Sequence, residues 1–128
     1  MDQQSAIDLI LDHYEHPRHY GPLDNASLIG EGKNAGCGDV IRLYVQLDAG
    51  GRIVDIGFEG QGCTISRATA SILTEMALGR PLEEVRRLDQ EAFVPLLGQA
   101  LVASRTRCVM LALDALRTAV PPEGQAGL

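Results

Sequence analysis

Hydrophobic and polar residues alternate with two different periods along the chain, and the change of period separates predicted helices from predicted strands. Near the amino end, apolar side chains recur at i, i+3, i+4 and i+7, which predicts an amphipathic helix over residues 4–16 that ends before Pro17. Residues 18–39 are rich in glycine, asparagine and proline, and within them the sequence ASLI at 26–29 is a candidate short strand.

The period then falls to two. Segments 40–47 and 52–60 each alternate apolar and polar residues, and they flank the turn-forming sequence DAGG. This pattern predicts an antiparallel hairpin whose second strand presents Val54, Ile56 and Phe58 on one face.

Helical patterns fill the rest of the chain. Apolar spacing predicts a long helix over 64–79 that ends at Gly79, followed by two short helices within 81–88 and 89–98. Ser104 is the predicted N-cap of a last helix, along which apolar residues again form a stripe.

The order of these elements predicts an α+β fold with a small antiparallel β-sheet of about three strands, packed in two layers against several α-helices. A chain of 128 residues is long enough for one hydrophobic core. We therefore expect a single domain over residues 1–120 and a loose C-terminal tail over 121–128.

Composition and charge narrow the function. Hydrophobic residues make up 45% of the chain and its formal net charge is −6, so it should fold and should not have nucleic acid as its main partner. The amino end is acidic and lacks the apolar run of a signal peptide, and no segment approaches the roughly 18 apolar residues of a membrane span. We expect a cytoplasmic protein that does not bind membranes.

Three cysteines carry the candidate chemistry, and none lies near another in sequence. In the reducing cytoplasm Cys37, Cys63 and Cys108 are more consistent with core, catalytic or metal-binding roles than with disulfides. The hairpin brings residues near 39 and near 60 together, so Cys37, Asp39 and Cys63 should share one edge of the sheet. The spacing leaves open whether Cys108 joins them, and each cysteine taken alone could be a small buried hydrophobe.

Thiolate is the form of cysteine that binds metal and attacks sulfur. Cys63 should lie at a helix N-terminus, whose dipole favours thiolate, and Arg105 and Arg107 should act in the same way on Cys108. Three thiolates and the carboxylate of Asp39 would make four ligands, a tetrahedral set suited to zinc or iron.

Other polar groups are interpreted as solvated. The cluster of His13, His16 and His19 resembles an exposed helix end more than a set of ligands. Arg86 and Arg87 are expected on the exposed face of a short helix.

The chain resembles the U-type iron–sulfur cluster scaffold proteins, the family of IscU, SufU and the N-terminal domain of NifU, over residues 5–119. Four segments in the family's order carry the resemblance: DHYEHPRHYG, AGCGDVIRLYV, GFEGQGCTISRATASIL and RTRCVMLALDAL. It implies one exposed site, with Cys37, Asp39, Cys63 and Cys108 as ligands of a transient [2Fe–2S] cluster, of iron or of zinc. It also implies that Cys108 accepts persulfide sulfur from a cysteine desulfurase, and that the cluster passes to iron–sulfur apoproteins or carrier proteins.

Two departures from the IscU type matter. Arg107 stands where IscU has a histidine, and LVASRTR replaces a chaperone-binding stretch, which argues against dependence on an Hsp70-type chaperone. The third cysteine motif is SufU-like, yet the insertion usual in SufU is missing. A scaffold that is not itself an enzyme is therefore the leading hypothesis, with a zinc-bound sulfur acceptor of the sulfurtransferase type as the alternative. A cysteine hydrolase and a structural zinc module are weaker alternatives.

Overall fold

The computed structural model describes residues 3–34, 36 and 38–122. Cys37 and the expected tail from residue 123 onward lie outside the described residues. The described strands are β1 (Leu28–Asn34), β2 (Asp39–Leu47) and β3 (Ile53–Gln61). The described α-helices are α1 (Gln3–Glu15), α2 (Thr64–Ala77), α3 (Leu82–Arg86), α4 (Val94–Leu97), α5 (Gln99–Ser104) and α6 (Thr106–Arg117), and a 3-10 turn (Gln90–Phe93) precedes α4.

The three strands form one antiparallel sheet in the order β1-β2-β3. The predicted α+β class and the predicted hairpin are both confirmed. The candidate strand at 26–29 is longer and later than expected, because β1 pairs with β2 from Leu28↔Val45 to Asn34↔Asp39. Most of β1 alternates glycine with polar residues, so the alternation of apolar and polar residues does not predict this strand.

A β-bulge changes which residues of β3 face the core, so the predicted face of this strand is wrong at its start. Gln46 pairs with Asp55 but Leu47 pairs with Ile53, so Val54 is the extra, unpaired residue. Val54 is 50% exposed, so the expectation that it shares a face with Ile56 and Phe58 is wrong, and Ile53 is fully buried. Ile56 lies in the core as predicted.

The helices match their predictions except near the last one. Helix α2 ends at Ala77, two residues before its predicted end at Gly79. Gly79 has a φ of +87°. Ser104 is not the N-cap of α6: it ends α5, and its hydroxyl bonds back to the Leu101 carbonyl at 3.2 Å. The N-cap position of α6 belongs to Arg105.

His13 is not part of a solvated helix end. His13 is 3% exposed, its Nδ1 lies 2.7 Å from the Ser71 hydroxyl, and its Nε2 lies 3.3 Å from Glu75. Burial lowers the pKa of His13, which favours the neutral form of the ring. The contacts of this ring with Ser71 and Glu75 join α1 to α2. His16 is exposed, and a ring nitrogen of His19 bonds to a threonine of α2.

Arg86 is likewise not solvated. Its guanidinium donates to the carbonyls of Leu116 at 3.3 Å and Ala119 at 2.8 Å, at the carboxyl end of α6. A cation there satisfies carbonyls that the helix leaves free. Arg87 is exposed as expected.

One face of the sheet carries the core. Helix α6 packs on β1 and β2, α2 packs on β3, and α1 packs on α2. The apolar residues that fill the interface are fully buried, among them Leu43, Val45, Phe58, Leu73 and Leu113. Among the described helices none is both long and apolar enough to cross a membrane.

Helix α6 approaches the sheet closely at Gly30. A Cβ added there would lie 1.9 Å from the carbonyl oxygen of Ala115 and 2.9 Å from the Cα of Ala119. Both atoms belong to the backbone and cannot rotate away. A glycine at this position therefore sets the distance between β1 and α6.

We predict that Gly30→Ala destabilises the fold by about 1–3 kcal/mol or more, because the methyl group overpacks a backbone contact. The matched control is Gly50→Ala, where the new Cβ meets nothing closer than 3.5 Å. Its free energy of unfolding should stay within about 0.5 kcal/mol of the parent. Urea unfolding followed by circular dichroism measures both, and equal stabilities would show that the close approach does not constrain the fold.

Candidate metal centre

Asp39 is the buried polar residue at the centre of the candidate site. It opens β2 and is 2% exposed. Its Oδ1 accepts the backbone N–H of Cys63 at 3.1 Å, and its Oδ2 accepts the Ser66 hydroxyl at 2.8 Å. A buried carboxylate needs such donors in place of water, so these two bonds hold its orientation.

The chain turns tightly between β3 and α2 to bring those donors to Asp39. Gly62 has φ of +150°, and a Cβ added to it would lie 2.6 Å from Asp39 Oδ1. Only glycine fits this conformation and this close approach. The residue before Cys63 therefore makes room for the carboxylate.

Cys63 is the N-cap of α2. Its sulfur accepts the backbone N–H of Ser66 at 3.4 Å, and the residue is exposed. The predicted placement at a helix N-terminus is confirmed. Free N–H groups at this end of the helix stabilise negative charge on the sulfur.

Cys108 reaches the same point from α6, where it is the third residue. Its Sγ lies 3.5 Å from Cys63 Sγ and 3.9 Å from Asp39 Oδ2. The ligand atoms of Asp39, Cys63 and Cys108 all lie within 4.8 Å of one another. Cys108 therefore joins Asp39 and Cys63 at one site, which the sequence spacing had left open. Cys37 lies outside the described part of the chain.

The two described thiols differ in exposure. Cys108 is only 6% exposed, and burial raises the pKa of its thiol above the ordinary value. The neighbouring Cys63 thiol and the Asp39 carboxylate raise the pKa further, and a hydrogen bond with Ser66 partly opposes them. The expectation that Arg105 and Arg107 lower the pKa of Cys108 is therefore wrong for the protein alone. Burial and the acidic neighbours of the thiol outweigh the effect of exposed cations.

Both arginines instead line a groove next to the thiol. This groove has a volume of about 400 Å³, and Cys108, Arg105, Arg107 and Asn34 are among its lining residues. Both guanidinium groups are on exposed residues. Arg105 takes the N-cap position of α6, so it precedes the helix that carries Cys108.

Two of the three separations among the described ligand groups are close to those around a tetrahedral metal ion. With Zn–S bonds of ~2.3 Å and Zn–O bonds of ~2.0 Å, two sulfurs lie about 3.8 Å apart and a sulfur and an oxygen about 3.5 Å apart. The separations of 3.5 Å between the sulfurs and 3.9 Å from Cys108 Sγ to Asp39 Oδ2 are close to both values. Small side-chain adjustments would be enough to receive an ion.

Ser66 is the site residue that the sequence patterns missed. It is fully buried and contacts both Asp39 and Cys63. Its position three residues after an N-cap is where a capped helix places a backbone donor, and that spacing was visible in the sequence CTIS. Nothing in the sequence indicated that its hydroxyl would turn toward the strand.

Comparisons with known proteins identify relatives of this chain. The family model of the NifU-like N terminal domain matches residues 6–122. Iron-sulfur cluster assembly scaffold protein IscU 1 of Archaeoglobus fulgidus is 37% identical over 113 residues, covering 88% of this chain and 72% of that protein. Iron-sulfur cluster assembly scaffold protein IscU of Thermotoga maritima is 38% identical over 107 residues, covering 84% and 75%.

A solved structure gives the same result. A candidate iron–sulfur cluster assembly scaffold protein for the SUF system from Fervidobacterium islandicum AW-1 superposes with a TM-score of 0.73 at 30% identity, covering 88% of this chain and 93% of that one. The chain therefore belongs to the NifU-like N-terminal domain family of U-type iron–sulfur cluster scaffolds.

We predict that alkylation separates the two described thiols in chelator-treated protein. Cys63 should react with iodoacetamide faster than Cys108, because Cys108 is buried and its raised pKa leaves less thiolate. The rate at Cys108 should still be rising with pH above the range where an ordinary thiol has levelled off. Peptide mass spectrometry resolves each cysteine, and urea-unfolded protein, in which the rates should converge, is the control. Equal rates in the folded protein would contradict the burial of Cys108.

Proposed function

We propose that the protein is a scaffold on which a nascent [2Fe–2S] cluster is assembled and from which it is transferred to recipient proteins. The observation that carries this proposal is the convergence of two thiols and one carboxylate within 4.8 Å at one end of the sheet. The relatives named above as scaffold proteins support it. The cluster is the cargo of this protein, so the site must release what it binds.

The ligand set suits that task. Thiolates bind iron and zinc tightly, whereas a carboxylate oxygen is a weaker ligand for a soft or borderline metal. We propose Asp39, Cys63 and Cys108 as ligands, with Cys37 as the fourth. Because Cys63 is exposed, a recipient protein has access to one side of the site.

Sulfur enters through Cys108 in this proposal. Its thiolate attacks the terminal sulfur of a persulfide on a cysteine desulfurase, a Cys108 persulfide forms, and the desulfurase cysteine leaves as a thiolate that takes up a proton. An external reductant then supplies the two electrons that convert the transferred sulfur to sulfide. The groove lined by Cys108, Arg105 and Arg107 is the proposed approach path, with Arg105 as a charge that supports the thiolate when the partner excludes water.

This chemistry requires free thiols. The cytoplasm keeps cysteines reduced, and we place the protein there with a cysteine desulfurase as sulfur donor and iron–sulfur apoproteins or carrier proteins as recipients.

A zinc-bound sulfur acceptor is the second candidate. The separations from Cys108 Sγ to Cys63 Sγ and to Asp39 Oδ2 favour it, because they are close to those of a tetrahedral zinc site. Anaerobic incubation with iron, desulfurase and cysteine distinguishes the two. A scaffold develops the absorption of a [2Fe–2S] cluster with two irons per site, whereas the zinc-bound acceptor keeps its zinc and accumulates only persulfide.

We predict that Cys108→Ser abolishes sulfur transfer from a desulfurase. Each variant is incubated with desulfurase and ³⁵S-cysteine, and label on the protein is followed under non-reducing conditions. Arg105→Ala should slow labelling without unfolding the protein, and Arg87→Ala, at an exposed arginine that does not line this groove, is its matched control. Full labelling of Cys108→Ser would assign the acceptor role to Cys37 or Cys63.

We predict that Asp39→Ala makes a reconstituted cluster longer-lived and slower to transfer, because it removes the weakest ligand. The measurement is the decay of cluster absorption, alone and with an apo-ferredoxin as recipient. Gly50→Ala, far from the site in its own turn, should decay as the parent does. Faster loss from the Asp39 variant would make the carboxylate a stabilising ligand instead of a releasing one.

A further inference from the structure

Ser66 interacts with all three described metal ligands through one hydroxyl. It lies in the first turn of α2 and is fully buried. Its Oγ donates to Asp39 Oδ2 at 2.8 Å and lies 3.4 Å from Cys63 Sγ. A buried hydroxyl placed between a carboxylate and a sulfur is a specific arrangement that helix formation alone does not require.

We infer that Ser66 is a positioning residue that holds the Asp39 carboxylate in the orientation in which it serves as a metal ligand. This inference rests on the proposed metal site and adds a residue to it. Outer hydrogen bonds of this kind fix the orientation of a ligating carboxylate and contribute to metal affinity.

The two oxygens of Asp39 are held by different donors. Oδ1 takes the backbone N–H of Cys63, which no side-chain substitution removes. Oδ2 takes the Ser66 hydroxyl and is also the oxygen that lies 3.9 Å from Cys108 Sγ. Because one bond alone lets the carboxylate swing about Oδ1, the hydroxyl is what fixes Oδ2 toward Cys108.

The helix does not need this hydroxyl as a cap. The cap of α2 is formed by the Cys63 sulfur and the backbone N–H of Ser66, and that N–H remains in any variant except proline. Alanine is also a better helix former than serine. Ser66→Ala should therefore keep α2 intact while it removes the donor to Asp39.

Thr69 provides a matched control on the same helix. It lies one turn after Ser66 and is also fully buried. Its hydroxyl has no hydrogen-bond partner among the described residues. Thr69→Val removes a buried hydroxyl at nearly constant volume, so it reports what such a loss costs when no ligand is involved.

The experiment measures zinc affinity by competition with a chromophoric chelator in the full-length chain. Ser66→Ala should bind Zn²⁺ about 10- to 100-fold more weakly than the parent, and Thr69→Val should bind as the parent does. In an Asp39→Ala background, Ser66→Ala should cause no further loss, because its effect acts through the carboxylate. Circular dichroism and thermal unfolding without metal verify that each variant is folded.

Cobalt adds a signature that a general loss of stability would not produce. With Co²⁺ in place of Zn²⁺, the sulfur-to-cobalt charge-transfer band reports the thiolates and the d–d bands report the geometry. Ser66→Ala should keep the charge-transfer intensity and take on the d–d bands of Asp39→Ala.

If Ser66→Ala does not fold, Ser66→Thr is measured in its place. A folded threonine variant that binds zinc as the parent does supports the role of the hydroxyl, and one that binds at least about ten-fold more weakly contradicts it.

The outcomes separate this inference from the proposed function. If Cys63→Ser leaves zinc affinity unchanged, the metal site itself is wrong. If Cys63→Ser weakens binding but Ser66→Ala binds as tightly as the parent or more tightly, only the positioning role of Ser66 is overturned. A further loss on adding Ser66→Ala to Asp39→Ala would also overturn it, because the hydroxyl would then act through Cys63 or Cys108.

Discussion

A buried carboxylate joins the sheet to the helices at the candidate site. Taking the charge of Asp39 out of water is unfavourable unless donors replace the lost hydration. The structure provides two donors, the backbone N–H of Cys63 and the hydroxyl of Ser66, and both belong to the start of α2. Since Asp39 itself opens β2, pairing the carboxylate ties the start of a strand to the start of a helix, and the thiol of Cys63 is held at that junction.

The second thiol depends on a different contact. Cys108 is near the start of α6, and α6 lies against β1 at the distance that Gly30 allows. A larger residue in β1 would push the helix away from the sheet and the sulfur of Cys108 away from Asp39. The position from which Cys108 approaches Cys63 therefore depends on helix–sheet packing as well as on the residues at the site. This explains why ligands 69 positions apart in sequence can meet in a small domain.

Much of this arrangement followed from the sequence. Alternation of apolar residues predicted the hairpin, and antiparallel pairing then placed Asp39 beside Cys63. The pattern could not predict the bulge at Val54, because a single extra residue changes the faces without changing the composition. It also misassigned His13, since only the tertiary contacts with Ser71 and Glu75 make a buried histidine acceptable. The role of Ser66 depends on which way one hydroxyl turns, and no periodicity encodes that.

The protonation of Cys108 links the two functions proposed for the site. Burial and the neighbouring Cys63 thiol raise the pKa of the Cys108 thiol, with a smaller contribution from the Asp39 carboxylate, and this disfavours the reactive thiolate in the protein alone. A bound cation supplies the positive charge that favours a thiolate. Burial is the main cause that suppresses the thiolate in the protein alone. The nucleophilicity of Cys108 would therefore depend on the charge that a partner or a cation brings to the site, and this condition applies equally to a scaffold that is receiving sulfur and to a zinc-bound sulfur acceptor.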